Sequence, residues 1–277
     1  SQGMTAGLQP FLSDAVVALR APTQVWSRED GEIGPQSIDT GAIDGVFHGD
    51  TRFVRATRLR YGTDAATHPP EWISRSAASA SDIRFEALLR RVDDTTPDPK
   101  MRLTRRRLVE DGRVTEEFTL VSHLLEATTV VLELVVTPDA TPMQEVKSGH
   151  AAAALVERTI DGDAVTLTSG AASMRVQAPG AAVAASADDI VLTWHVDCPP
   201  RSSTTVSWRV ELDDPSLVVR GTPRPVSWRA DLPAGADPRL GRWVAQALDD
   251  LDALRLTLPD RADEFFAAGA PWFFTLF

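Results

Sequence analysis

What the chain has little of excludes several kinds of protein. Cys198 is the only cysteine in 277 residues, so the chain can form neither an intrachain disulfide nor a thiolate metal cluster. Its apolar residues never run on for about 18 positions, so the sequence predicts no membrane-spanning helix and no membrane partner. Positive charge is in deficit: 28 Lys and Arg against 39 Asp and Glu leave a net charge of −11. This balance argues against a nucleic-acid-binding face.

The N-terminal residues lack the basic and then apolar segments of a secretory signal. Together with the single cysteine, this favours a reducing compartment, and we expect a cytoplasmic protein. Residues Ser1–Gly3 precede Met4 and are typical of a cloning remnant. We therefore set residues 1–4 apart and begin the fold prediction at residue 5.

Turn residues divide most of the chain into short segments of strand composition. Asp111-Gly112, Asp161-Gly162 and Pro179-Gly180 stand between such segments, and Asp-Gly supplies the positive φ angles that two-residue hairpin turns need. The predicted hairpins join Leu103–Val109 to Val114–Ser122, Leu155–Ile160 to Ala164–Ser169, and Met174–Ala178 to Val183–Ala185.

Alternating apolar and polar residues support an all-β fold. Trp208 alternates in phase with Val206, Val210 and Leu212, and Trp194 with its own apolar neighbours, so both tryptophans are expected in the core. Roughly a dozen such strands without helices between them predict an antiparallel, two-layer all-β domain over residues 5–212. The polar segment Tyr61–Asp82 is expected to be a loop.

The pattern changes after residue 212. Residues 213–236 are rich in proline and are expected to be a linker. Asp237 suits a helix N-cap and Pro238 the first helical position. Apolar residues then recur at helical spacing, and we expect them, with Trp243 among them, to face the protein interior. A third region, residues 237–277, therefore begins with one α-helix.

Catalytic signatures are missing from the sequence. The five histidines have no metal-binding spacing, and the paired carboxylates are adjacent in sequence, which on a strand points them to opposite faces. We expect no catalytic residue, no metal site and no cofactor. Arg102 and Arg105–Arg107 form a basic strip that we expect to pair with Glu116 and Glu117 on the next strand.

The segment Gly45–Phe53 (GVFHGDTRF) allows two interpretations. In the structural one, Asp50 caps backbone N–H groups of a turn and Arg52 pairs with a carboxylate. In the functional one, the same polar residues are presented to a ligand or to a neighbouring domain. The sequence leaves both open.

Several of these stretches resemble one protein family. Gly45–Phe53 with Leu59-Arg60, and the strip Arg106–Gly112, are similar to motifs in the N-terminal domain of bacterial glycogen debranching (amylo-α-1,6-glucosidase-like) enzymes. His48 and Gly49 depart from that motif. Residues Ala247–Arg255 and Ala267–Phe277 resemble the entry to the family's α/α-toroid catalytic domain.

The resemblance implies a galactose-mutarotase-like supersandwich and a role in α-glucan metabolism, in a parent enzyme that would be a glycoside hydrolase. It also implies that the chain is non-catalytic by itself and that its partner is the toroid domain. Two alternatives stay open. A carbohydrate-binding module would bind an α-glucan on Trp72, Trp228 or Trp272. A self-associating domain would form a homodimer through Trp272–Phe277, with Phe273 as a further contact candidate.

Overall fold

The computed structural model describes residues 15–34, 43–64, 66–93, 97–148, 157–223, 225–226, 228–229, 231–261 and 263–267. Within these ranges the chain forms eighteen β-strands, two α-helices and one short 3-10 helix. Among the described helices, none combines the length and the apolar character that crossing a membrane requires.

The strands are β1 Val16–Arg20, β2 Thr23–Ser27, β3 Gly45–His48, β4 Thr51–Gly62, β5 Glu71–Ser79, β6 Asp82–Leu88, β7 Met101–Glu110, β8 Arg113–Ser122, β9 Thr128–Pro142, β10 Glu157–Asp161, β11 Ala164–Ser169, β12 Ala172–Gln177, β13 Ala182–Ala185, β14 Ile190–Cys198, β15 Ser203–Asp213, β16 Arg220–Gly221, β17 Arg255–Thr257 and β18 Glu264–Phe266. The helices are α1 Met143–Lys147 and α2 Pro238–Ala253, and the 3-10 helix is Arg90–Val92.

Two large antiparallel sheets form the body of the described chain. Sheet A has the strand order β1-β2-β3-β4-β9-β14-β13, and sheet B has the order β10-β11-β12-β15-β8-β7-β6-β5. A small third sheet has the order β16-β17-β18. The predicted all-β, two-layer antiparallel fold followed by one C-terminal α-helix is confirmed.

The hydrophobic core lies between sheets A and B. Trp194 on β14 meets Phe118 on β8 edge to face, with ring centroids 5.9 Å apart, so an aromatic pair joins the two layers. Trp194 and Trp208 are both buried, as their alternation predicted. Burial of each large apolar side chain stabilises the fold by roughly 1.5–3 kcal/mol.

Two predicted hairpins are confirmed and the third is wrong. β7 pairs with β8 through Gly112, whose φ of 73° needs a residue without a Cβ, and β10 pairs with β11. β12, however, pairs with β11 and β15 in sheet B, whereas β13 pairs with β14 in sheet A. The turn at Pro179-Gly180 therefore carries the chain from one layer to the other. A turn signal marks where a chain reverses but does not tell which strands pair.

The prediction of a loop over Tyr61–Asp82 is also wrong, because β5 occupies Glu71–Ser79. Among the described strands, β5 is the last strand of sheet B and pairs with β6 alone. Most of its residues are exposed. An edge strand of this kind has no need of alternating apolar residues, so its polar composition is typical of a loop as well.

Helix α2 begins as predicted and is bound to the sheets near its C-terminal end. The Asp237 carboxylate accepts a hydrogen bond from the backbone N–H of Arg239 at 2.8 Å. Asp252 pairs with Arg20 of β1 at 3.0 Å, and the backbone N–H of Ala80 donates to Asp249 at 2.8 Å. The helix is thus attached through polar contacts on one side.

Candidate functional site

The hairpin between β3 and β4 carries the segment that the sequence left open. Asp50 lies at its turn and is exposed. Its backbone carbonyl accepts a hydrogen bond from the N–H of Met143 at 2.7 Å, so the turn also fixes the start of α1. Asp50 is therefore accessible, as the functional interpretation requires, while its backbone has a structural role.

Arg52 lies inside the protein. Its Nε donates to Oδ2 of Asp139 at 2.7 Å, and its Nη1 donates to the backbone carbonyl of Asp44 at 3.3 Å. Gly45 makes this path available, since a Cβ there would lie 2.4 Å from Cδ of Arg52. The carboxylate partner expected in the structural interpretation is Asp139, and a buried, paired guanidinium is not presented to a ligand.

His48, next to this turn, is a buried and hydrogen-bonded histidine. Its Nδ1 lies 2.8 Å from the hydroxyl of Thr23, which also accepts a hydrogen bond from the N–H of Gly112 at 2.8 Å. Burial lowers the pKa of His48, although carboxylates such as Asp111 oppose this shift. The neutral ring of His48 links β2, β3 and the β7–β8 turn, and this structural role explains why the histidine is buried.

Trp72 lies on strand β5, where the sequence predicted a loop. Its indole meets the Phe85 ring edge to face, with centroids 6.4 Å apart, and it packs partly buried against the core. One side of this candidate platform is therefore engaged by the sandwich itself.

The polar cluster that sequence reasoning missed lies between the two sheets. We call Glu32, Arg105, Arg107 and Glu116 the buried ion network. Arg105 Nε donates to Glu116 Oε2 at 2.6 Å, and its Nη2 donates to Glu116 Oε1 at 3.0 Å. Arg107 Nη2 lies 3.0 Å from Glu116 Oε2. The Trp208 indole N–H donates to Glu116 Oε1 at 3.0 Å, so one carboxylate binds three side chains.

Glu32 extends the buried ion network to sheet A. Its carboxylate binds Nη1 of Arg105, and its Oε2 accepts a hydrogen bond from the backbone N–H of Leu59 on β4 at 3.0 Å. Arg105 therefore joins carboxylates from both layers. The predicted pairing of the basic strip with Glu116 and Glu117 is present, since Arg106 lies 3.5 Å from Glu117, but half of the strip faces the core.

The two buried carboxylates respond to this environment in opposite ways. Burial raises the pKa of Glu32 more than its single arginine partner lowers it. Burial also acts to raise the pKa of Glu116, but the charges of Arg105 and Arg107 and its hydrogen bonds lower it to about 2. Glu116 is therefore ionised at neutral pH, and its negative charge compensates the buried guanidiniums.

An open cleft lies between α2 and the segment that precedes it. We call it the Trp228 cleft. It has a volume of about 500 Å³ and is lined by Val226, Trp228, Arg229, Asp231, Gly241, Ala245, Leu248, Asp249 and Asp252. The guanidinium carbon of Arg255 lies 5.8 Å from the Trp228 ring centroid, and the Phe266 ring lies at 5.9 Å. Trp228 remains 43% exposed, as expected of a contact candidate.

The prediction that the apolar side of α2 faces the protein interior is wrong for part of the helix. Trp243 was expected to face the interior but is 69% exposed, and Leu240 and Leu251 are each 42% exposed. These three residues define what we call the apolar stripe of α2. Helical spacing identified the stripe but could not tell what covers it. The remaining contact candidates, Trp272 and Phe273, lie outside the described residues.

Comparisons with known proteins identify a family. Residues 19–209 match the family model for the N-terminal domain of some glycogen debranching enzymes. No curated protein matches the chain.

Several solved structures are similar to this chain at low sequence identity. A candidate kojibiose phosphorylase from the human microbiome is 10% identical, with a TM-score of 0.49 over 73% of this chain and 30% of its own. A bacterial glucoamylase complexed with acarbose is 9% identical, with a TM-score of 0.47 over 76% and 34%. A galactose mutarotase-like protein from Lactobacillus casei is 10% identical, with a TM-score of 0.47 over 72% and 100%. The chain thus spans about a third of the first two, and these likenesses support no conclusion about activity.

Proposed function

We propose a function on one premise: this chain belongs to the family formed by the N-terminal domain of some glycogen debranching enzymes. We propose that it is the non-catalytic β-sandwich domain of a debranching-type glycoside hydrolase. It acts in α-glucan metabolism by packing on the catalytic domain and shaping its substrate cleft. The observation that carries the proposal is the apolar stripe of α2.

The apolar stripe supports the presence of a domain partner. Full burial of a large apolar side chain is worth roughly 1.5–3 kcal/mol, and Leu240, Trp243 and Leu251 leave much of this unused. Exposed apolar patches commonly mark interaction sites. The stripe lies on the last long element described, so a domain that follows α2 in the same protein is well placed to cover it.

The buried ion network supports a non-catalytic role for the sandwich. Glu32 and Glu116 are both buried and bound to arginine, whereas hydrolysis of a glycoside commonly needs two carboxylates on either side of an accessible bond. The buried thiol of Cys198 fits a reducing, cytoplasmic compartment.

The test compares the 277-residue chain with the same chain joined to the rest of its reading frame. We expect release of glucose from a branched limit dextrin by the joined protein and no turnover by the chain alone. Turnover by the chain alone, abolished by changing one carboxylate within residues 1–277, would contradict the proposal.

Light scattering on the same samples addresses the alternative of self-association. The proposal predicts a monomeric chain, because the stripe is reserved for another domain. A stable dimer that Trp272→Ser disperses would favour the alternative of a homodimer through Trp272–Phe277 instead.

A further inference from the structure

We propose that the Trp228 cleft is a binding site for an α-linked glucan chain, separate from the apolar stripe. The choice of an α-glucan over other neutral saccharides rests on the proposed function. The presence of a saccharide site rests on the cleft itself, through its shape, its aromatic wall and its polar groups.

The shape of the cleft suits a few sugar rings. Its volume of about 500 Å³ lies within the roughly 300–1,000 Å³ typical of ligand sites. Trp228 lines one part of the cleft, and the face of α2 with Gly241 and Ala245 lines another. Small side chains on this helix face keep the cleft open, so an elongated ligand can lie between the helix and the indole.

The exposed part of Trp228 provides the apolar contact that a pyranose needs. The C–H groups on one face of a sugar ring are weakly positive and apolar, and they are attracted to the negative face of an aromatic ring. Phe266 packs against Trp228 at 5.9 Å and helps to hold the indole in place. A fixed aromatic ring loses little conformational entropy when a ligand binds.

The same ring is poorly suited to a cationic ligand. The guanidinium of Arg255 lies over Trp228 at 5.8 Å, which is the position that a ligand cation would take. Arg255 is itself held by Asp252 and Glu264, each at 2.8 Å. A neutral ligand that contacts the remaining exposed surface avoids this competition.

The polar residues of the cleft match hydroxyl groups. Asp231, Asp249 and Asp252 line it together with Arg229, so acceptors for sugar hydroxyls outnumber cations. The N–H of Ala80 fixes Asp249 at 2.8 Å, and two arginines fix Asp252, so these acceptors are preorganised. The excess of carboxylates disfavours anionic ligands, whereas hydrogen bonds from neutral hydroxyls to carboxylates are strong.

The experiment is calorimetric titration of the full 277-residue chain with maltoheptaose, with cellohexaose as a β-linked saccharide of similar size. We expect saturable binding of maltoheptaose and at least about tenfold weaker binding of cellohexaose. Trp228→Ala should weaken the binding of maltoheptaose by at least about tenfold, because central aromatic contacts carry much of such binding energy.

A second variant blocks the cleft without removing the aromatic ring. Ala245→Leu replaces an exposed helix residue by another good helix former and places a larger side chain in the cleft, so it should also weaken the binding of maltoheptaose by at least about tenfold. The matched control is Trp243→Ala. At about 100° per residue, Trp243 points to the side of α2 away from Gly241 and Ala245, and its loss should leave the affinity unchanged.

Three results would overturn the inference: no maltoheptaose binding, wild-type affinity in both Trp228→Ala and Ala245→Leu, or equal affinity for cellohexaose. Circular dichroism of each variant establishes that it is folded. The titration needs only the chain itself. If maltoheptaose does not bind, the proposed packing on a catalytic domain is not contradicted. If that packing is disproved, the titration still tests whether the cleft binds a saccharide.

Discussion

The buried ion network and the apolar stripe of α2 invert the usual distribution of side chains. Between the sheets, two arginines and two glutamates are almost fully buried, while on α2 a tryptophan and two leucines lie exposed. The charges are compensated within the described chain, because each guanidinium contacts Glu116. The apolar residues have no equivalent compensation in the described part of the chain. The charges of the network are thus paired within the described residues, whereas the exposed apolar side of α2 is the surface that we propose for a domain contact.

The buried charges and the exposed apolar side chains have different energetic consequences. A buried charge is costly unless it is paired, and in the network Arg105 is paired with both Glu32 and Glu116. The exposed apolar stripe adds little to the stability of the isolated chain, and under the proposed function its side chains become buried only when another domain covers them. Changes in the network should therefore alter the stability of the chain, and changes in the stripe should alter its interactions.

The largest effect is expected from Glu116→Gln. The substitution keeps the size of the side chain but removes the charge that compensates Arg105 and Arg107. Removing one partner of a buried ion pair typically costs about 3–5 kcal/mol. We expect a loss of this size in the free energy of unfolding, measured by urea denaturation.

Glu117→Gln is the matched control for this prediction. Glu117 is the next residue on β8, partly exposed, and lies 3.5 Å from Arg106. Exposed ion pairs are worth about 0–1 kcal/mol, so the control should change stability by no more than this. Equal effects of the two substitutions would show that the burial of the network has no special weight.

Acid should lower the contribution of the network to the free energy of unfolding by slightly less than Glu116→Gln does. The pKa of Glu116 is lowered from 4.5 to about 2, so its contribution is fully present above about pH 4.5 and is lost as the pH falls towards 2. At about 1.4 kcal/mol per pKa unit, the contribution is roughly 3 kcal/mol. Glu32, whose pKa is raised, acts in the opposite direction, because its contribution is lost as the pH rises.

The measurement is urea denaturation at pH 6 and pH 3 for the wild type and for Glu116→Gln. The surface carboxylates are present in both proteins, so their effects largely cancel in the difference. The effect of Glu32 does not cancel, because the charge of Glu116 helps to raise its pKa, so the difference reports the two coupled carboxylates together. We expect the wild type to lose more stability between the two pH values than the variant does. Parallel losses would mean that Glu116 titrates normally in the folded chain.

The same two regions show how far the sequence predicts this structure. Alternation placed Trp194 and Trp208 in the core, and the Asp111-Gly112 turn identified the β7–β8 hairpin, because both signals are local. Arg105 and Arg107 also alternate in phase with Leu103 and Val109, so the pattern did mark them as inward-facing. The sequence predicted their pairing with Glu116 and Glu117 but not their burial, because the position of Glu32, which helps to compensate their charge, is not a local signal.

Other features depend on contacts between distant segments. Asp139, the partner of Arg52, is 87 residues away in the sequence, and no local pattern connects the two. The pairing of β12 with β15 rather than β13 is likewise decided by the two layers. The spacing of Leu240, Trp243 and Leu251 identified an apolar helix face, but whether that face is covered depends on what α2 meets.

The smallest effect on the chain itself is expected from Trp243→Ser. Because Trp243 is 69% exposed, the substitution should change the free energy of unfolding of the 277-residue chain by no more than about 0.5 kcal/mol. Arg242→Ala, on the polar side of α2, is the control and should behave alike in the chain alone. In a protein that joins the chain to the catalytic domain that we propose as its partner, Trp243→Ser alone should lower the midpoint of unfolding, because the indole then loses a buried contact. A stability loss from Trp243→Ser in the chain alone that matches the loss from Glu116→Gln would place the indole within the fold of the chain and remove the contrast between the two regions.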